Sequence, residues 1–288
     1  MIDDEVDLPP CPRLLMEPAL RAALAEDLGG QGDVTSDTVI PPDLTARAVI
    51  RARKAGVAAG LDAAALAFAL VDPDLKVSGR VAEGRRVASG DALLTVAGAA
   101  RSILMAERVA LNFAGRMSGI ATLTRGIADA IAHTPARVTC TRKTTPGLRL
   151  FEKRAVRAGG GHNHRFALDS AILVKDNHIA AAGGIEPVMA RIKAAASHML
   201  RVEVEVDRLD QLAELLDIGG ADVVLLDNMG PPMLREAVAM TARRVVLEAS
   251  GGITPDTAPA IAETGVDVLS AGWLTHSAQS LDLGLDID

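Results

Sequence analysis

From about residue 117 onward the chain alternates short apolar runs with helix-length segments, and this rhythm leaves few folds open. The runs fall at 138–141, 171–174, 201–206, 222–226, 245–249 and 266–270. Each reads as a strand buried on both faces, as in a parallel sheet covered by helices. At or just after the carboxyl end of each stands a polar or glycine feature. In order these are Arg142-Lys143, Lys175-Asp176, Glu205, Asp227-Asn228, Ser250-Gly251-Gly252 and Gly272. Chemistry at the same end of every strand, in βα units of about 22 residues, describes an α/β fold built as a (β/α) barrel. A doubly wound open sheet is the alternative.

The first part of the chain is different. A helical period over 14–28 places Leu20, Leu24 and Leu28 on one face and closes at Gly29-Gly30. Extended runs at 45–52, 76–81 and 92–96 alternate with turns and an alanine-rich helix over 61–71, and a longer helix follows over 102–115. That is an α+β pattern. The expected division is an N-terminal α+β sandwich over 1–117 and a barrel over 118–275, with a tail over 276–288 that packs back onto the first. The strand and turn at 87–94 resemble a lipoyl-type turn, but no lysine stands where such a domain carries its cofactor.

Charge narrows the function. The chain has a formal net charge of -7, yet the segment 140–178 crowds lysines, arginines and three histidines together. Arg142, Lys143, Arg165 and Lys175 each sit beside an apolar run or a glycine cluster, which points them into a site. Lys153, Arg154 and Arg157 lie in a helical stretch and read as a solvated face. Arginine holds a carboxylate or phosphate through a planar fork, whereas lysine offers a compact charge, so a ligand with several negative groups is implied. The acidic balance and the scarcity of aromatics, 2% with no tyrosine, argue against nucleic-acid binding and against an anionic membrane surface. The amino terminus, MIDDEVDLPP, has neither the basic nor the apolar part of a signal peptide, and no run approaches the ~20 residues that span a bilayer. Two cysteines, Cys11 and Cys140, make no disulfide framework, so a reducing cytoplasm is expected.

Ser250-Gly251-Gly252 follows an apolar run, and Thr254-Pro255 then reads as a helix start, an arrangement that offers backbone N–H groups to phosphate. Glu205 and Asp227, at different strand ends, are placed to hold ribose hydroxyls or Mg2+. Glu203 shares the face of Glu205 by strand period, so one of the two can serve as a supporting residue. His162, His164 and His178 suggest zinc, but the surrounding cations would repel the metal.

The strings TRKTTPGLR, GGGHNHR, LVKDNHI, VEVEVD, VVLLDNM and LEASGGIT, in this order, resemble the quinolinate phosphoribosyltransferase family, decarboxylating enzymes of NAD synthesis. The likeness runs from about Leu20 to the carboxyl end. It implies an incomplete α/β barrel beside an N-terminal α/β open sandwich, in a homodimer whose subunits exchange an arginine, with higher assembly left open. The motif ERVALN matches the segment that lends it, here Arg108. The resemblance further implies that Arg108, Arg142, His164, Arg165 and Lys175 surround the two carboxylates of quinolinate. Lys143, Glu205, Asp227, Asn228, the Ser250, Gly251 and Gly252 loop and Gly272 would hold phosphoribosyl pyrophosphate, with Mg2+ as cofactor on the pyrophosphate, and Lys143, Glu205 and Asp227 nearest the chemistry. Three positions depart from the family pattern: Ala167 and Ser170 replace a common glycine and aspartate, and Trp273 follows Gly272. The competing readings are a related phosphoribosyltransferase acting on another pyridine or base, a Schiff-base aldolase using Lys175, and a barrel that only binds metabolites.

Overall fold

A computed structural model describes residues 8–288; the amino-terminal reading against a signal peptide falls mostly on 1–7, outside the described residues. The described chain divides into two compact units. One comprises Gly126–Lys143 and Gly161–Gly272. The other holds the residues up to Arg125 together with Thr144–Gly160 and Trp273–Asp288.

In chain order the elements up to the barrel are α1 (Arg13–Leu28), α2 (Val34–Val39), β1 (Thr45–Ala52), β2 (Gly56–Val57), α3 (Leu61–Val71), β3 (Lys76–Ser78), β4 (Arg86–Val87), β5 (Ala92–Ala99) and α4 (Ala100–Ala130). Then come β6 (Arg137–Thr139), α5 (Arg149–Ala158), β7 (Ile172–Val174), α6 (Asp176–Ala182), α7 (Ile185–Ala195), β8 (Val202–Val206) and α8 (Leu209–Ile218). The last are β9 (Val223–Asp227), α9 (Pro231–Thr241), β10 (Val246–Ser250), α10 (Ala258–Ala262), β11 (Val268–Ser270), α11 (Trp273–His276) and β12 (Leu283–Ile287).

The first unit carries the six expected strands as one parallel sheet in the order β6-β11-β10-β9-β8-β7. Its end strands, β6 and β7, do not pair with each other, so the barrel is incomplete, as the resemblance implies. Val204, Val224, Leu226, Leu247 and Leu269 are fully or almost fully buried. Burying side chains of this size stabilises by roughly 1.5–3 kcal/mol each. The charged exceptions inside these strands, Glu203 and Glu248, are buried too.

The second unit is built on an antiparallel sheet, β12-β1-β5-β3, with α3 and α4 supplying buried Leu61, Phe68 and Ile103. Helix α3 begins after Gly60, which has no side chain to cap it; the half-buried Glu83 carboxylate accepts from the Gly60 and Asp62 N–H groups instead. Two expectations fail here. The helix read over 102–115 runs to Ala130, because Gly115 and Gly119 serve close approach rather than interruption. A Cβ at Gly119 would overlap the Gln279 carbonyl oxygen, and one at Gly115 would stand 3.0 Å from that of Leu281. The cations of α5 are also not a solvated face. Lys153 is 2% exposed, and Arg154 donates to the Pro9 carbonyl at 3.0 Å and lies 3.7 Å from Asp62. The reason is that α5 is enclosed on more than its apolar side: Glu152, fully buried, takes hydrogen bonds from Arg116 at 2.9 Å and from the Thr145 hydroxyl at 2.8 Å. Among the described residues no helix is long and apolar enough to cross a membrane, and Cys11 and Cys140 are both buried and not joined in a disulfide.

Candidate active site

Parallel strands ending together bring their carboxyl-terminal residues to one rim, and that is where most of the expected residues stand. Arg142 and Lys143 follow β6, and the Lys143 N–H donates to the Thr141 hydroxyl at 3.0 Å. Lys175 follows β7 and its Nζ reaches Glu205 Oε2, next to the end of β8, at 2.6 Å. Asp227 closes β9. Ser250 closes β10 in register with Asp227, and Gly251 and Gly252 follow with φ of +94° and +62°. Only glycine takes such values without strain. Gly272 follows β11.

Asn228 shows how tightly this rim is packed. It takes φ of +55°, its backbone N–H donates to the Ser250 carbonyl at 2.9 Å, and its side-chain amide donates to Asp227 Oδ2 at 2.7 Å. A Cβ at Gly251 would collide with Asn228 Oδ1. The glycine therefore makes room for the side chain that aims Asp227.

Under the rim lies a cluster at His164. Its Nε2 is 2.9 Å from Glu203 Oε2 and 3.8 Å from Glu248 Oε1. Burial, and then the charge of Glu203, push the Glu248 carboxyl up to about 7. Arg165 stands close by; its Nη1 donates to the Ala171 carbonyl at 2.8 Å, while its Nε is buried without a hydrogen-bond partner. Burial, and then repulsion from Arg142, pull this guanidinium below its usual range, and Glu203 opposes them. An anion placed between Arg142 and Arg165 would relieve that repulsion.

Some expected residues fall elsewhere. Arg108 lies on α4 in the other unit, exposed, with Glu107 at 3.9 Å. Of the three histidines His164 is the one that meets two buried carboxylates, with atoms of the three side chains within 4.8 Å of one another; the ring of His178 accepts from the Lys175 N–H at 2.9 Å and so caps α6. The helix expected from Thr254-Pro255 begins at Ala258 instead, as the five-residue α10. Thr254 and Thr257 tie residues 254–257 into a turn through their hydroxyls, at 2.8 and 3.2 Å to the partner N–H groups. The helix end expected beside Gly251 and Gly252 is therefore replaced by a turn. Ala167, at a family glycine position, has no positive φ and is unstrained; its N–H donates to the Ser170 hydroxyl at 3.0 Å. Glu248 was missed from the sequence, although a carboxylate inside the apolar run VVLEAS was a visible signal.

An apolar cavity of about 550 Å³ adjoins this end of the unit, lined by Leu168, Ile172, Val174, Val188 and Ile192 with Arg165, His178 and Arg191 at its polar margin.

Comparison with known proteins agrees in both halves. Residues 33–118 match the family model for the quinolinate phosphoribosyl transferase N-terminal domain, and residues 120–286 match that for its C-terminal domain. A chloroplastic nicotinate-nucleotide pyrophosphorylase (carboxylating) of Oryza sativa subsp. japonica is 44% identical over 297 residues, covering 97% of this chain and 80% of its own. A probable nicotinate-nucleotide pyrophosphorylase (carboxylating) of Bacillus subtilis is 40% identical over 274 residues, covering 95% and 94%. The crystal structure of NadC from Streptococcus pyogenes superposes with a TM-score of 0.92 at 39% identity, covering 98% of this chain and all of that one.

Proposed function

The chain belongs to the quinolinate phosphoribosyltransferase family, and on that premise we propose that its site transfers phosphoribosyl from phosphoribosyl pyrophosphate to quinolinate with decarboxylation. The products are nicotinate mononucleotide, pyrophosphate and CO2, in NAD biosynthesis. The observation that carries the reading is the Lys175–Glu205 ion pair at 2.6 Å, which joins a cation suited to the acceptor's carboxylates with an anion suited to the donor's ribose. Two such groups in contact mark where the substrates meet.

Arg142, His164, Arg165 and Lys175 hold the two carboxylates of quinolinate, and Arg108 from a second subunit of a homodimer completes the set. Lys143, Asn228, Ser250, Gly251, Gly252 and Gly272 hold the donor's phosphates, and Mg2+ travels with the pyrophosphate. As the C1–pyrophosphate bond breaks, positive charge grows on the ribosyl centre. Asp227, aimed by Asn228, and Glu205 favour that charge electrostatically. The pyridine nitrogen then bonds to C1. The bond from ring C2 to its carboxylate breaks, CO2 leaves, and the electron pair stays at C2 beside the cationic nitrogen until a proton replaces it. No protein nucleophile is required. Aldolase chemistry finds little support, since Lys175 is half exposed and ion-paired, the opposite of the desolvated amine that forms a Schiff base.

The test is release of CO2 from quinolinate labelled at the 2-carboxylate, measured with and without phosphoribosyl pyrophosphate and Mg2+. Release that depends on the donor, with stoichiometric pyrophosphate, is the expected result. Faster use of nicotinate or another base, or no release at all, would refute the assignment.

A further inference from the structure

Glu203 on β8 and Glu248 on β10 stand two strands apart, with β9 between them. Their carboxylates nonetheless converge on one atom, the Nε2 of His164, and ligating atoms of the three side chains lie within 4.8 Å of one another. Both glutamates are buried, 7% and 5% exposed, and the Oε1 atom of each has no hydrogen-bond partner. Burial and mutual repulsion both oppose a second negative charge here. The groups facing Glu248 are Glu203 from β8, His164 from the segment before β7 and the hydroxyl of Ser270 from β11. Arg165, whose charge is coupled to Glu203 and to Arg142, forms the next ring.

We propose that Glu203 and Glu248 are positioning residues of this site: they fix the His164 ring and limit the negative charge beneath Arg142 and Arg165, which tunes the site to a pyridine bearing two carboxylates. This deepens the functional reading and rests on it. With the Glu248 carboxyl neutral, one buried negative charge fewer stands near the guanidinium groups of Arg142 and Arg165. When that carboxyl ionises, a second negative charge appears under the ligand and repels it. The protonated form of Glu248 is thus the binding form, and affinity falls as pH rises through about 7. Phosphoribosyl pyrophosphate, whose proposed contacts are Lys143 and the ends of β8 to β11, does not share the effect.

The experiment is steady-state kinetics of the full chain at a series of pH values, varying each substrate in turn. For wild type the quinolinate KM should rise by up to about tenfold between about pH 6 and about pH 8, as a single titration centred near 7 requires. The donor's KM should not follow it. Glu248→Gln, with a side chain that cannot ionise, should lose this rise. Ser270→Ala removes a hydroxyl whose nearness favours the Glu248 carboxylate, and its midpoint should move upward. Glu203→Gln takes the near partner from His164, and kcat/KM for quinolinate should drop at least about tenfold, the loss of one charge-assisted hydrogen bond. A Glu248→Gln profile that tracks wild type, or equal losses for both substrates, would overturn the proposal. If Glu248→Gln does not fold, the Ser270→Ala midpoint decides, and an unmoved midpoint overturns it. A stoichiometric divalent metal in the purified protein, absent from Glu203→Gln, would assign the cluster to that metal and overturn it equally. If wild type releases no CO2 from quinolinate, the functional reading itself has failed, and this is seen before any variant is made.

Discussion

Arg165 is a cation held at a cost. One guanidinium nitrogen is committed to the Ala171 carbonyl, another is buried without a partner, and Arg142 repels it. Such a group gains most from an incoming carboxylate. Arg165→Ala should therefore weaken quinolinate binding by about 1.5–3 kcal/mol, roughly 10-fold to 150-fold, and leave donor affinity within about threefold. Separate titrations of the two substrates check this; equal loss for both would make Arg165 structural. Glu248 carries a different consequence. Burial and the neighbouring Glu203 push its folded carboxyl from the ordinary 4.5 up to about 7. Between those values the folded state keeps a proton that the unfolded state releases, so this group's contribution declines as pH rises through that window. The expected cost above it is up to a few kcal/mol. Glu248→Gln should then melt above wild type at about pH 8, with the gap closing toward about pH 5. Thermal melts at both values decide it, and a gap that ignores pH contradicts the buried charge. These two residues also differ in legibility. Arg165 was readable because a cation between a glycine cluster and an apolar run has few structural uses. Glu248 was not singled out, because its partners lie on a strand two places away and on a separate loop, and sequence spacing carries no trace of that meeting.

The strands were legible as elements: all six barrel strands lie within one or two residues of the apolar runs, because full burial leaves few polar residues in them. The helices were harder where glycine intervened. Gly115, Gly119 and Gly126 weaken the signal of α4, yet the helix continues because backbone at 279–281 presses against it. Gly119→Ala should accordingly destabilise the protein by about 1–3 kcal/mol, through overlap with the Gln279 carbonyl. Urea unfolding measures it, and an unchanged midpoint would show that the C-terminal segment yields freely. Gly251→Ala acts on the rim instead. The new Cβ meets Asn228, and φ of +94° is unfavourable for alanine. Asp227 then loses its orienting donor, so turnover should drop by about tenfold or more, the scale of one misaligned electrostatic group. Stability should fall by only about 1–3 kcal/mol from the backbone strain. Turnover equal to wild type would show that Asn228 does not govern Asp227. Thr254-Pro255 misled for a related reason: threonine before proline signals a helix start, but two threonine hydroxyls three residues apart close a turn first.

At the scale of the molecule the sequence showed that the chain changes character near residue 117, but not how its parts are sorted. Helix α5 and strand β12 belong to the same compact unit as β1, and β12 pairs with β1 across most of the chain's length, a contact that local pattern cannot encode. The last consequence of the proposed function also lies at this scale. Arg108 is exposed on α4, with a loose ion pair to Glu107, whereas the other proposed quinolinate contacts belong to the barrel unit. In the proposed homodimer Arg108 serves the partner's site, so that each site draws on two chains. Arg108→Ala and Lys175→Ala proteins should each be inactive alone. Mixed in equal amounts under conditions that exchange subunits, half the dimers become heterodimers, each with one site lacking both residues and one site intact. Activity should then return to about a quarter of wild type, since half the dimers carry one good site of two. Heterodimers shown to form, for example with two affinity tags, yet as inactive as their parents, would place Arg108 in its own subunit's site and end the shared-site reading.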